Sequence, residues 1–148
     1  MENPQADLQR AFLTAAADSD FEIKYGALAE TTIRNVMHSE LWLRAQQSKT
    51  RLLEVPFQVL KEIPTEAGAA LPTIIKGAVD LIFKENKGWV LVDYKTDIVR
   101  EDTFQRVVDK YTRQLQIYSE AWQECTGEPV VETGIYLVRL NKYVPVRS

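Results

Sequence analysis

The 148-residue chain has a single cysteine, Cys125, so neither an intramolecular disulfide nor a cysteine zinc cage is available to it. No run approaches the roughly 18–20 unbroken apolar residues that a membrane span needs. The opening MENPQADLQR has neither a basic nor an apolar signal region, so the expectation is a cytoplasmic protein with no membrane partner. No phosphate-binding P-loop, G-x-G-x-x-G or G-x-S-x-G pattern occurs, which excludes nucleotide binding and hydrolysis by those routes. An excess of either charge is also missing. The net charge is -3, and residues 1–40 alone hold 3 basic and 7 acidic groups. The remainder is close to neutral, so global charge selects no partner. Internal repeats and low-complexity tracts are absent.

What is present suits a globular protein: 45% hydrophobic and 26% charged residues. The length suits one domain over 1–148, with a helical part over 1–48 and an αβ core over 50–140. Leu8, Ala11, Phe12 and Ala15 predict a helix over 5–17. A second helical pattern runs from Ala27 to about Gln47 and breaks at His38-Ser39-Glu40. Leu52–Leu60 reads as a strand that Pro56 confines to an edge or a bulge. Residues 61–73, with two prolines and a glycine, read as a surface loop. Ile74–Lys84 and Trp89–Tyr94 form a hairpin around the four-residue loop Glu85–Gly88. Asp102, with Gln105 three residues on, predicts the start of a helix that runs to about Glu124. Thr133–Leu140 reads as the last strand. The expectation is an α/β sandwich, a central mixed sheet of about four strands flanked by helices.

The hairpin carries the chemistry. Asp93 and Lys95 share one strand face, because strand side chains alternate. If Lys84 pairs with Trp89, Asp80 lies opposite Asp93, with Cβ atoms roughly 4.5–5.5 Å apart. Facing carboxylates repel, and either a shared proton or a cation must compensate. A hard divalent cation takes such oxygens, and Lys95 beside it completes a kit for phosphodiester hydrolysis. The plain alternative makes Asp80 and Asp93 solvated strand residues, with Lys95 their surface ion pair. The apolar flanks, AVDLIF and VLVDYK, argue against it.

On the following helix, Phe104, Val107, Val108, Tyr111, Leu115 and Tyr118 form an apolar stripe, with Gln114 at its edge. A buried glutamine amide needs partners, from backbone or from a cleft. Arg106, Lys110 and Arg113 form a separate basic stripe, either a solvated face or a phosphate contact. Asp97 reads as a turn residue, Cys125 as a small packing residue, and Trp42, Trp89 and Trp122 as core or core-edge.

Gly77-Ala78-Val79-Asp80 followed by Asp93-Tyr94-Lys95-Thr96-Asp97 resembles the PD-(D/E)XK nucleases. The likeness is greatest to the RecB-type branch, the C-terminal domain of RecB and AddA helicase–nucleases. Glu54-Val55-Pro56-Phe57 resembles that branch's first strand, and Tyr111-x-x-Gln114-x-x-x-Tyr118 its Q-x-x-x-Y helix. The resemblance spans about residues 40–140. It implies a restriction-endonuclease-like fold and a DNA substrate. It also implies exonuclease action coupled to a helicase of the same or a partner chain in double-strand break repair. By the same resemblance, Asp80, Asp93 and the Tyr94 carbonyl would ligate Mg2+ or Mn2+, and Lys95 would serve the attacking water. Gln114, Tyr118, Tyr111 and Glu54 would line the site or meet DNA. The branch's first-helix G-x-x-x-H is not matched: His38 sits in a later helix, and Gly26-x-x-x-Glu30 offers a glutamate instead. The expectation is that the motif helix lies upstream, on a longer parent chain. An alternative function is a catalytically silent nuclease-like module that binds DNA or braces a helicase.

Overall fold

A computed structural model describes residues 26–146, with side chains described from residue 31 onward. The helix expected over 5–17 lies outside the described residues, and so does the side chain of Glu30.

The polar step at 38–40 divides the N-terminal helical pattern, as its sequence predicts, into α1 (Gly26–Met37) and α2 (Glu40–Gln47). Ser39 caps α2 by accepting the Trp42 N–H on its hydroxyl at 3.2 Å. His38 ends α1 with a 2.7 Å bond between its Nδ1 and the Arg34 carbonyl. Five strands follow: β1 (Arg51–Pro64), β2 (Ala70–Glu85), β3 (Gly88–Lys95), β4 (Val130–Leu137) and β5 (Lys142–Val146). Helix α3 (Phe104–Thr126) connects β3 to β4. The strand order is β1-β2-β3-β4-β5, antiparallel except for β3 and β4. A parallel pair needs a crossover, and α3 is that crossover.

Four expectations need correction. The segment 61–73 is not a loop: β1 and β2 pair out to Pro64↔Ala70, forming a long hairpin arm closed by a turn at Thr65–Ala69. Its prolines are tolerated because β1 is an edge strand and Pro72 opposes Glu62 near the tip. The β2–β3 connection is tighter than four residues, since Glu85 pairs with Gly88 around Asn86 and Lys87. Asp102 is not the cap of α3; Thr103 holds that place, and Gln105 bonds forward to Asp109 at 2.8 Å. The run 133–140 is not one strand. β4 ends at Leu137, a short 3-10 turn covers Val138–Leu140, and Asn141 takes a left-handed φ of 47° before β5. The sheet therefore has five strands, one more than expected.

Helices cover both faces. Val36, Leu41, Trp42 and Ala45 of α1 and α2 pack on Leu81, Phe83, Val90, Val92 and Tyr136. On the other face Val108, Leu115 and Tyr118 of α3 pack on Val79, Ile82, Leu91 and Ile135. The apolar stripe read from α3 is thus its core-facing side. That helix ends at Gly127, whose φ of 68° only glycine adopts without strain. Trp42, Trp89 and Trp122 belong to these two cores, as expected, whereas Cys125, expected as a packing residue, is exposed. Among the described residues no helix is long and apolar enough to cross a membrane.

Candidate active site

The site forms where the β2–β3 ladder stops. Lys84 pairs with Trp89 and Leu81 with Val92, which is the register assumed from the sequence. The next residues along that diagonal are Asp80 and Asp93, and there the strands part. Asp80 Oδ2 turns instead to the backbone N–H of Tyr94 and accepts from it at 2.7 Å. Both carboxylates are nearly enclosed, with relative exposures of 9% for Asp80 and 2% for Asp93.

A local irregularity in the neighbouring ladder accompanies this. Leu53 and Leu81 pack in the α1/α2 core, while Val55 and Val79 pack in the α3 core. Residues two apart on a regular strand share a face, so the alternation slips between these pairs. The slip falls at Glu54, which has a φ of 51°, and at Asp80, which lies across from it. A left-handed glutamate costs of order 1–2 kcal/mol, and the flanking pairs hold it in place.

Asp80 and Asp93 open into a cleft of about 280 Å3 between the sheet and α3. Glu54, Lys76, Lys95, Asp97, Tyr111, Gln114 and Tyr118 also line it. Lys95 Nζ lies 2.8 Å from Asp93 Oδ2 and donates to Gln114 Oε1 at 3.5 Å. Gln114 in turn donates its amide to the Tyr118 hydroxyl at 2.5 Å. This answers what satisfies the glutamine at the edge of the stripe: it links the lysine to the tyrosine. Tyr118 Oη also explains Gly77, because a Cβ there would stand 2.7 Å from that oxygen and 2.8 Å from the Phe57 ring.

The electrostatics are unbalanced toward negative charge. Burial, then repulsion from Asp93, pushes the Asp80 carboxyl up from an ordinary 3.8 to about 8. The Tyr94 N–H and Lys95 pull it down without cancelling the rise. Asp97 does more than make a turn: it accepts the Tyr111 hydroxyl at 2.9 Å, a link that spacing alone does not reveal.

Every sequence-predicted site residue reaches this cleft, but Tyr94 does so through its backbone only. Its ring lies in the opposite core, 5.6 Å from that of Tyr136. His38 lines a different hollow, with Asn35, Glu40 and Tyr143. Arg106, Lys110 and Arg113 are exposed along α3. Among the described residues no three His, Cys, Asp or Glu side chains gather closely enough to hold a metal unaided. The all-oxygen donor pair nevertheless fits a hard cation. Mg2+ is commonly held by one or two carboxylates, with waters and substrate phosphates completing its shell.

The chain belongs to the PD-(D/E)XK nuclease superfamily: the model of that family matches residues 2–145. The five-stranded sheet between helices is its restriction-endonuclease-like fold, and nucleases of this superfamily generally use divalent metal ions. Within it the chain is similar to bacterial ATP-dependent helicase/nuclease subunits of the AddA type. It is 34% identical over 112 residues to that of Thermoanaerobacter sp. (strain X514), covering 71% of this chain and 9% of the relative. The Alkaliphilus oremlandii relative is 32% identical over 119 residues, 76% of this chain and 10% of its own. The Clostridioides difficile relative is 39% identical over 71 residues, 48% of this chain and 6% of its own. The chain thus spans about a tenth of the length of these curated relatives, or less.

Proposed function

We propose that this chain is the nuclease domain of a helicase–nuclease and hydrolyses DNA phosphodiester bonds, as an exonuclease, with Mg2+ or Mn2+. The observation that carries the reading is the enclosed Asp80–Asp93 pair, with Lys95 in contact with it, opening into one cleft. The two carboxylates and the backbone carbonyl of Tyr94 would hold the ion. When bound, the ion polarises the phosphoryl oxygen and activates water.

In the reaction, the water oxygen bonds to phosphorus as the bond from phosphorus to the departing sugar oxygen breaks. The attacking water gives up a proton to solvent, and the departing oxygen takes one from solvent to leave as the alcohol. Lys95 presents N–H donors toward the same cleft, where they orient the attacking water and stabilise charge developing on the phosphoryl oxygens. Gln114 and Tyr118 fix the lysine from the α3 wall, and Glu54 and Tyr111 complete the lining. The names of the relatives support a helicase region, on the same or a partner chain, that feeds DNA to the site. In this reading residues 1–148 form a single domain of a longer polypeptide that serves double-strand break repair in the cytoplasm.

The test is digestion of linear single- and double-stranded DNA with Mg2+ or Mn2+. Lys95→Ala is expected to lose at least about 100-fold in rate, the scale of one lost charge-stabilising donor. No cleavage by wild-type protein shown to be folded would replace this reading with that of a silent, DNA-binding module.

A further inference from the structure

The nuclease reading has Gln114 and Tyr118 fix Lys95 from the α3 wall, and a further contact to the same ammonium stands beside theirs. A lysine is a point charge on a flexible four-carbon stem, so its place must be imposed by neighbours. Three surround Nζ: Asp93 Oδ2 at 2.8 Å, Gln114 Oε1 at 3.5 Å, and the Tyr111 ring, whose centroid lies 4.3 Å away. A centroid distance under about 6 Å is a cation–π contact. The ring attracts the ammonium through its quadrupole and occupies no carboxylate lone pair. It adds a hold on the ammonium beside the ion pair that Lys95 makes with Asp93 Oδ2.

Tyr111 is itself constrained. Its hydroxyl donates to Asp97 Oδ2 at 2.9 Å. Asp97 is two residues beyond Lys95, on the segment leaving β3, and Arg139 Nε donates to the intervening Thr96 carbonyl at 2.9 Å. The chain from Lys95 to Asp97 and the side chain of Tyr111 thus close a small ring around the ammonium. Lys110 Nζ stands 4.8 Å from the same ring centroid, and that residue is exposed on α3.

We propose that Tyr111, tied down by Asp97, is a positioning residue that holds the Lys95 ammonium at the cleft. This rests on the nuclease reading for its consequence in catalysis, and on the contacts alone for its geometry.

The experiment uses the 148-residue chain with Mg2+ and linear DNA, in wild type, Tyr111→Leu, Tyr111→Phe, Asp97→Ala and the Asp97→Ala/Tyr111→Phe double variant. Tyr111→Leu is expected to lower kcat about three- to thirtyfold, the span of cation–π strengths, with KM changed less than about twofold. Asp97→Ala and Tyr111→Phe both break the Tyr111–Asp97 bond, and Tyr111→Phe also loses the 3.4 Å bond from Lys110 Nζ, so each should cost less than Tyr111→Leu and the double variant no more than Tyr111→Phe alone. An undiminished kcat in Tyr111→Leu, or additive losses in the double variant, would overturn the proposal.

A second readout needs no cleavage. In 13C-lysine NMR spectra the Lys95 ε-protons should be shifted upfield by the Tyr111 ring. Tyr111→Phe should retain part of that shift and Tyr111→Leu none. Unshifted ε-protons in the wild type would refute the placement even in an active enzyme. A shifted signal in folded protein that cuts no DNA would instead overturn the nuclease reading and leave the positioning intact.

Discussion

Asp80 concentrates the chemistry of the site in one titratable group. Burial and the neighbouring Asp93 raise its carboxyl to about 8, above the 3.8 that an unfolded chain would show. The folded protein therefore keeps a proton that the unfolded chain gives up. The stability carried by that proton is complete below about pH 4 and is gone once the pH has risen through about 8. With a chelator present, the melting temperature should fall by several degrees from pH 5 to pH 8. A chain of this size moves by about 2–4 °C per kcal/mol. Asp80→Asn keeps the shape without the charge and should flatten that slope. Adding Mg2+ or Mn2+ at pH 8 should raise the melting temperature of the wild type and not of Asp80→Asn. Equal metal responses in the two proteins would remove Asp80 from the ligand set.

Elements decide which of these residues can meet. Asp93 and Lys95 come from one strand and share its face, so their association was legible from a two-residue spacing. Gln114 and Tyr118 are four apart on α3, one helical turn, and stack on one side of it. Gly77 is where β2 meets that helix, because the space its Cβ would fill is occupied by the Tyr118 hydroxyl and the Phe57 ring. Gly77→Ala must push one of them aside. We expect a loss of about 1–3 kcal/mol in urea unfolding, together with weaker cleavage as Tyr118 and Gln114 shift. Unchanged stability and rate would mean that Tyr118 swings away freely and plays no part in the site wall. The boundaries read less well than the elements themselves. Prolines in 61–73 suggested a loop, although Pro56 already pointed to an edge or a bulge for the first strand, and at an edge missing N–H donors cost little. β5, which no sequence expectation covered, likewise carries a proline, Pro145, paired with Gly134 on an edge strand.

Across the whole molecule, long-range ties hold the helical layer against the sheet. Arg44 of α2 donates to Glu85 at 2.9 and 3.0 Å and to Glu132 at 2.9 and 3.1 Å. It thereby joins a helix to the ends of β2 and β4, and Tyr143 of β5 adds a 2.7 Å bond to Glu132. Arg44, Glu85 and Glu132 are 28–37% exposed by side chain, so the network lies between a buried cluster and a surface pair. Arg44→Ala leaves two carboxylates together without their cation. An expected cost of about 1–3 kcal/mol in denaturant unfolding follows from the stranded groups. A change under about 0.5 kcal/mol would class the network with ordinary surface pairs.

The amino-acid sequence alone declares the candidate carboxylate pair, the hairpin register that aligns Asp80 with Asp93, and the family to which the chain belongs. These are local matters, set by strand alternation, turn chemistry and ordered motifs within short spans. It took the packed molecule to stop the ladder one pair short of the two aspartates, with Asp80 bonded to the Tyr94 N–H. Packing likewise gives Glu54 a left-handed backbone across from Asp80, and closes Tyr111 and Asp97 around Lys95. Those contacts join β1, β2, β3 and α3 across a twisted sheet. Their geometry comes from how the layers meet, which no local pattern in the chain encodes.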